Sequence, residues 1–291
     1  MNPLLATVGT KLTERWLNLL VLPGALFLGI AVAGRTLGHG HWHDAGRLRA
    51  ALDHLAGRPA AERPGTAALL VAAVLLLSAA ASMAAQFLGT AIERCLLRDA
   101  ADPLSRAQAR RRRARWERRD RERTEAIRDP GVDGAGIERR TRARDRVALV
   151  PPSRPTWYGD RMEAAAARVD AAYGVDLAAL WPRLWLVLAE SAQQQVASAR
   201  DSFAAGARLA AWALMYAVVA VWWWPAALVA LACATVARFR ARDALEALAG
   251  LVEAAADVHA RELAGLIGME SPGPLSHETG NRMSELFRKG D

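Results

Sequence analysis

Apolar residues gather in three long runs separated by charged stretches. The first, Trp16 to Ala33, carries no charge and lies between Lys11, Glu14 and Arg15 on one side and Arg35 on the other. A bilayer crossing takes roughly 20 apolar residues, so this run predicts a membrane helix over about residues 16–33. A basic start, an apolar stretch and the small-residue triplet Ala31-Val32-Ala33 also fit a cleaved signal peptide, and both readings stand. The second run, Thr66 to Ile92, holds only Gln86 and small hydroxyls among its apolar residues and predicts a span over 66–92. Its Ala79, Ala80, Ala81, Ser82, Ala84 and Ala85 are small enough for another helix to approach closely in lipid.

The third run, Leu209 to Val236, is also free of charge. As one helix it would extend roughly 42 Å at about 1.5 Å per residue, beyond the hydrocarbon thickness of about 30 Å. Trp222, Trp223, Trp224 and Pro225 sit in its middle, where tryptophan favours an interface and proline stops a helix. The pattern predicts a tight hairpin of two spans, about residues 205–222 and 225–240, with the three indoles at the outer headgroup level. Trp16 is a fourth candidate interface anchor. A single tilted span is the competing reading.

Basic residues set the orientation, because cytoplasmic loops carry the excess of Lys and Arg. Two precede the first run, five lie between the first and second, twenty-three fall between residues 93 and 206, and seven follow residue 237. Four spans then place both termini and residues 93–206 in the cytoplasm, and residues 34–65 and the tryptophan turn outside. The sequence predicts an all-α integral membrane protein with four transmembrane helices, a helical cytoplasmic stalk and domain, and a flexible basic loop. Its expected parts are a membrane hairpin over 1–92, a basic helix and linker over 93–160, stalk helices with a second hairpin over 161–268, and a flexible tail over 269–291 in which Met283 to Arg288 fit a short helix.

Within the soluble part, Asp102 and Pro103 signal the start of a helix reaching to about residue 128. From Arg106 to Arg123 it carries ten arginines against Glu117, Asp120 and Glu122. Following directly on a span, Arg110, Arg111, Arg112, Arg113 and Arg115 suit anionic lipid head groups. The plainer reading is a solvated helix with Arg113–Glu117 and Arg118–Glu122 pairs that only enforces topology. Nucleic acid is the least favoured partner. Residues 129–155, with their Gly and Pro residues, predict a mobile linker. Asp160 and Glu163 have capping-box spacing for a helix starting near Arg161, Gly174 breaks that helix, and Asp176 can cap the next, which is expected to run past Pro182 toward the third apolar run. A stripe of Leu245, Leu248, Val252, Ala255, His259, Leu263 and Leu266 predicts an amphipathic helix continuing from the last span.

Composition adds less. The net charge of +8 comes almost entirely from arginine, since Lys11 and Lys289 are the only lysines, and arginine with abundant alanine is what a GC-rich coding bias produces. Cys95 and Cys233 match no zinc or disulfide spacing. One segment resembles a site: His39, His41, His43 and Asp44 in GHGHWHDAG, with Asp53 and His54 nearby. Imidazoles at alternate positions suit zinc or copper and titrate near neutrality, so an outer metal or proton sensor is one expectation and a polar turn the other. Without a phosphate-binding loop, a nucleophile elbow or a zincin motif, the sequence predicts a protein that is not an enzyme.

WLNLLVLPG near the start, PTWYGDR at residues 155–161 and the WWWP turn together resemble multi-pass membrane proteins of high-GC, actinobacterial-type bacteria. The resemblance carries no known activity. It implies a bacterial cytoplasmic membrane location and transfers no site residue. The expected role is an interaction or scaffold protein that recruits a protein partner to the inner leaflet. An oligomeric pore or membrane-perturbing effector is the alternative, and the sensor a third.

Overall fold

Residues 21–56, 64–269 and 273–288 are described in the computed structural model of the chain. Among them are ten helices and no strand: α1 (Leu22–Leu37), α2 (Ala45–Ala56), α3 (Pro64–Leu97), α4 (Pro103–Arg128), α5 (Gly134–Asp145), α6 (Trp157–Tyr173), α7 (Leu177–Val187), α8 (Glu190–Val219), α9 (Pro225–Leu266) and α10 (His277–Arg288). Two of these, α3 from Gly65 onward and α8, are long and apolar enough to cross a membrane. The other two expected spans do not meet that test among the described residues: the described part of α1 is too short, and α9 meets Arg238, Arg240 and Arg242 soon after its apolar start. The beginning of the first apolar run, Trp16 included, lies outside the described residues.

The chain divides into two compact units, residues 1–92 with 204–239 and residues 93–203 with 240–291. The second hairpin thus groups with the first 92 residues, whereas the sequence reading joined it to the stalk.

In the first unit, α3 buries one narrow face of small residues. Ser78, Ser82, Ala85 and Gly89 are buried at steps of three and four. A Cβ on Gly24 of α1 would lie 1.9 Å from the Ser78 carbonyl oxygen, so the two backbones touch and only glycine fits there. Gly89 faces Arg208 on α8 less tightly, since a Cβ there would lie 2.9 Å from its Cγ and 3.0 Å from its Cα. Ser82 and Ala85 therefore serve the close approach expected of them, while Ala80 and Ala84 face outward. Phe27 of α1 packs on Trp212 and Tyr216 of α8 at ring separations of 5.8 and 5.4 Å. The rest of α3 is open: Leu69, Leu76 and Phe87 are each 71% exposed, and only 11% of the helix's most apolar stretch is buried. Between α8 and α9 the chain turns over Ala220 to Trp224 and restarts at Pro225, whose missing N–H costs nothing in a first turn.

The second unit is built around Val169, Leu180, Leu184, Leu188, Val252, Leu263 and Met283, contributed by α6, α7, α9 and α10. A smaller cluster sets Phe203 of α8 against Ala241, Ala244 and Leu245 of α9. Most of the predicted stripe on α9 faces inward, but Leu266, at its end, is 69% exposed.

Three expectations fail in this unit. Residues 129–155 are not simply a linker: Asp133 caps α5 by accepting from the Gly136 N–H at 2.8 Å, and α5 packs along α4. The helix expected to run on past Pro182 stops at Val187, where buried Leu188 turns extended and the Gln193 carboxamide donates to the freed carbonyls of Trp185 and Leu188. The tail is held: α10 buries Met283 completely, and Gly280 lies so close to Tyr173 that a Cβ would be 1.9 Å from its carbonyl oxygen. Gly174 takes the left-handed conformation that ends α6, as its position predicts.

Candidate binding surface on the basic helix

α4 begins as its sequence indicates. Asp102 accepts from the Ser105 N–H at 3.1 Å and from the Ser105 hydroxyl at 2.6 Å, and Pro103 opens the helix. Its inner face is then written in polar residues. Ser105, Ala109 and Ala126 are buried, and between them Arg112, Trp116, Asp120 and Arg123 turn toward the protein at helical spacing. Trp116 donates its indole N–H to the Ala148 carbonyl at 2.9 Å. Arg123 reaches the Thr141 hydroxyl at 3.2 Å, and Arg144 of α5 reaches Asp120 at 3.2 Å while lying over the Trp116 ring.

The strongest tie is between Arg112 and Asp160. Arg112 donates through Nε and Nη2 to Asp160 Oδ2 at 3.1 and 2.7 Å, and through Nη2 to the Val147 carbonyl at 2.8 Å. The other carboxylate oxygen of Asp160 accepts from the backbone N–H groups of Ser153 and Arg154 at 3.0 and 2.8 Å. Arg112 thus cannot serve as a lipid contact, which corrects the sequence reading: its charge is spent inside, on a carboxylate whose side chain is 2% exposed. Asp160 is likewise no cap. Thr156 caps α6, accepting from the Gly159 N–H at 3.0 Å, and its hydroxyl donates to the Leu96 carbonyl. Gly159 leaves room for Arg154, which grips Glu163 at 2.8 Å and also meets Leu97 and Asp99. PTWYGDR is therefore a structural knot joining the end of α3, the inner face of α4 and the start of α6.

With its inner face fixed, α4 turns the remaining charge outward. Arg110, Arg111, Arg113 and Arg115 are exposed. Arg113 pairs with Glu117 at 3.1 Å, and Glu122 pairs with Arg119 rather than Arg118. Arg106, Arg110, Arg111 and Arg115 have no carboxylate partner among the described residues. Such a surface can attract and hold anions.

Elsewhere in this unit, Arg168 and Glu253 form a two-pronged pair, with Nε to Oε1 at 2.6 Å, and Arg288 holds Asp176 at 2.6 Å. The guanidiniums lower the carboxyl pKa values of Glu253 and Asp176. Arg161 differs: its Nε and Nη1 are buried with no hydrogen-bond partner among the described residues, and burial followed by the nearby Arg168 pushes its pKa down.

In the histidine segment the described contacts of the histidines are local, and the side chain of His54 lies outside the described residues. His41 Nδ1 lies 2.9 Å from the Arg47 guanidinium, Asp44 accepts from the Arg47 N–H at 3.0 Å at the start of α2, and Trp42 packs edge-on against His43 and Trp224. No group of three possible metal ligands forms among the described residues, His39 included. The Arg47 hydrogen bond to Asp44 lowers the carboxyl pKa. At the tryptophan turn, Trp223 packs on Gly34, whose Cβ would be 3.0 Å from it, and Trp224 packs on Trp42. Trp222 and Trp223 have buried indole nitrogens without a hydrogen-bond partner among the described residues.

Compared with known proteins, the chain matches no family model, no curated protein sequence and no solved structure.

Proposed function

We propose that the protein is a multi-pass membrane anchor of the bacterial cytoplasmic membrane whose basic helical unit gathers anionic lipid and a protein partner at the inner leaflet. The exposed apolar surface of α3 carries this reading. A helix 11% buried over its most apolar stretch is no soluble core helix, and lipid is the solvent that matches Leu69, Leu76 and Phe87. Arginines begin within a few residues of its end, which favours a cytoplasmic α4. The Trp222–Pro225 turn supports two spans in the third apolar run, and with α1 this makes four, both termini inside.

The same open face of α3 also favours a second reading, in which copies assemble through it into a pore. Two measurements test both. In intact cells, with Cys95 and Cys233 replaced by serine, a single cysteine at Arg139 should resist a membrane-impermeant maleimide until the membrane is opened. Labelling from outside rejects the orientation. Protein reconstituted into vesicles should leave them tight to a small dye, and leakage selects the pore instead.

A further inference from the structure

We infer that the second unit holds a discrete site for a phosphate-bearing anion in the open pocket between the first turns of α4 and the Pro152–Ser153 segment. The pocket measures about 320 Å³ and is lined by Ala100, Arg106, Ala109, Arg110, Arg113, Pro152 and Ser153. Arg106, Arg110 and Arg113 follow at steps of four and three, so a helix brings their guanidiniums to one side. Arg106 and Arg110 carry no ion pair among the described residues, and Arg113 shares its charge with Glu117. No carboxylate lines the pocket, while Ala100, Ala109 and Pro152 give it an apolar floor. A rim of guanidiniums suits phosphate, whose oxygens accept paired N–H donors, and the floor suits the apolar body that a phosphodiester carries. The ligand class is thus a phosphate ester with an apolar group beside it, most simply an anionic lipid head group, with free phosphate as the other source of the same chemistry.

Shape is settled independently of ligand. The Pro152–Ser153 wall is held by the Ser153 and Arg154 N–H groups on Asp160, and the α4 wall by Arg112 on that same carboxylate. Both walls are anchored to one buried group, so the pocket is preformed rather than a chance gap between side chains.

As a lipid site it rests on the reading that α4 faces the inner leaflet, and the test separates the two. Full-length protein in a zwitterionic detergent is titrated calorimetrically with short-chain phosphatidylglycerol, short-chain phosphatidylcholine and inorganic phosphate. Saturable binding of phosphatidylglycerol and none of phosphatidylcholine is expected. Arg106→Gln with Arg110→Gln should weaken it by about tenfold or more. Arg118→Gln with Arg121→Gln removes equal charge from α4 away from the pocket and should weaken it less than about threefold. Ala100→Phe, which fills the pocket with every charge kept, should weaken it as the first pair does. Binding of inorganic phosphate alone, with the same sensitivity to these variants, assigns the site to a free anion. Equal losses from both arginine pairs, with Ala100→Phe silent, overturn the pocket and leave a diffuse basic surface facing lipid. No binding of any anion overturns the pocket and the lipid-facing helix together.

Discussion

Arg112 and Asp160, forty-eight positions apart in sequence, meet through two guanidinium donors on one carboxylate oxygen, the closer at 2.7 Å. Removing one member of a buried pair strands the other. Arg112→Ala should therefore cost about 3 kcal/mol or more, whereas Arg113→Ala, four-residue partner of an exposed glutamate, should cost about 0.5 kcal/mol or less. Chemical unfolding of the two variants, followed by helical circular dichroism, checks the contrast. Equal losses would show that Asp160 does not depend on Arg112.

Arg161 should behave in the opposite sense. Its buried nitrogens lack hydrogen-bond partners among the described residues, and burial and Arg168 outweigh the more favourable Glu246 and Glu253, so its charge is a cost to folding. Arg161→Met keeps the apolar stem and removes that charge. The free energy of unfolding, measured by denaturant titration, is expected to stay the same or rise, by up to about 2 kcal/mol, and a clear fall would reveal a partner the buried guanidinium requires.

Acid should loosen α10 and the contact of α6 with α9. Asp176 and Glu253 have pKa values lowered by Arg288 and Arg168 in the folded state. A lowered carboxyl pKa adds stability above the unfolded values, about 3.9 for Asp and 4.3 for Glu. That stability is lost as pH falls through the lower folded values. Thermal unfolding between about pH 6 and pH 3 should show this decline, and Asp176→Asn with Glu253→Gln should flatten it while lowering stability at neutral pH.

In α1, two glycines should answer differently to alanine. A Cβ on Gly24 would collide with the Ser78 carbonyl oxygen, while one on Gly29 meets nothing within 4 Å. Gly24→Ala should destabilise the protein in detergent by about 1–3 kcal/mol, and Gly29→Ala should be neutral or stabilising by up to about 1 kcal/mol. Thermal aggregation midpoints of the two variants give the comparison.

Much of the helical plan was legible because it follows from local chemistry. Asp102 with Pro103, Gly174, Asp176 and Pro225 act within a turn of where they stand, and each marks a helix boundary. The errors came where a residue's partner is distant. Asp160 has the spacing of a cap, yet it binds Arg112, and nothing local to Asp160 announces that. α5 escaped notice because its contacts to α4 run through Arg144, Thr141 and Asp120 rather than through an apolar stripe. The same polar inner face hid which arginines of α4 are free: arginine at 110 and arginine at 112 read alike until the fold turns one inward. Gly280, Met283 and Ser284 of α10 share one buried face, but its partners, Tyr173 and Asp176, stand far back in the chain, so the sequence near the tail does not show what holds it.

The two faces of α3 imply opposite rules for what mutation can do to it. Along Leu69 to Leu77 and at Phe87, any large apolar residue should substitute freely and a charge should not, since only the solvent is being matched. Along Ser78, Ser82, Ala85 and Gly89, polarity should matter little and bulk should be lethal to assembly, since the neighbouring backbone sets the limit. A saturation library over this one helix would sort its positions into two interleaved classes, one filtering by charge and the other by volume.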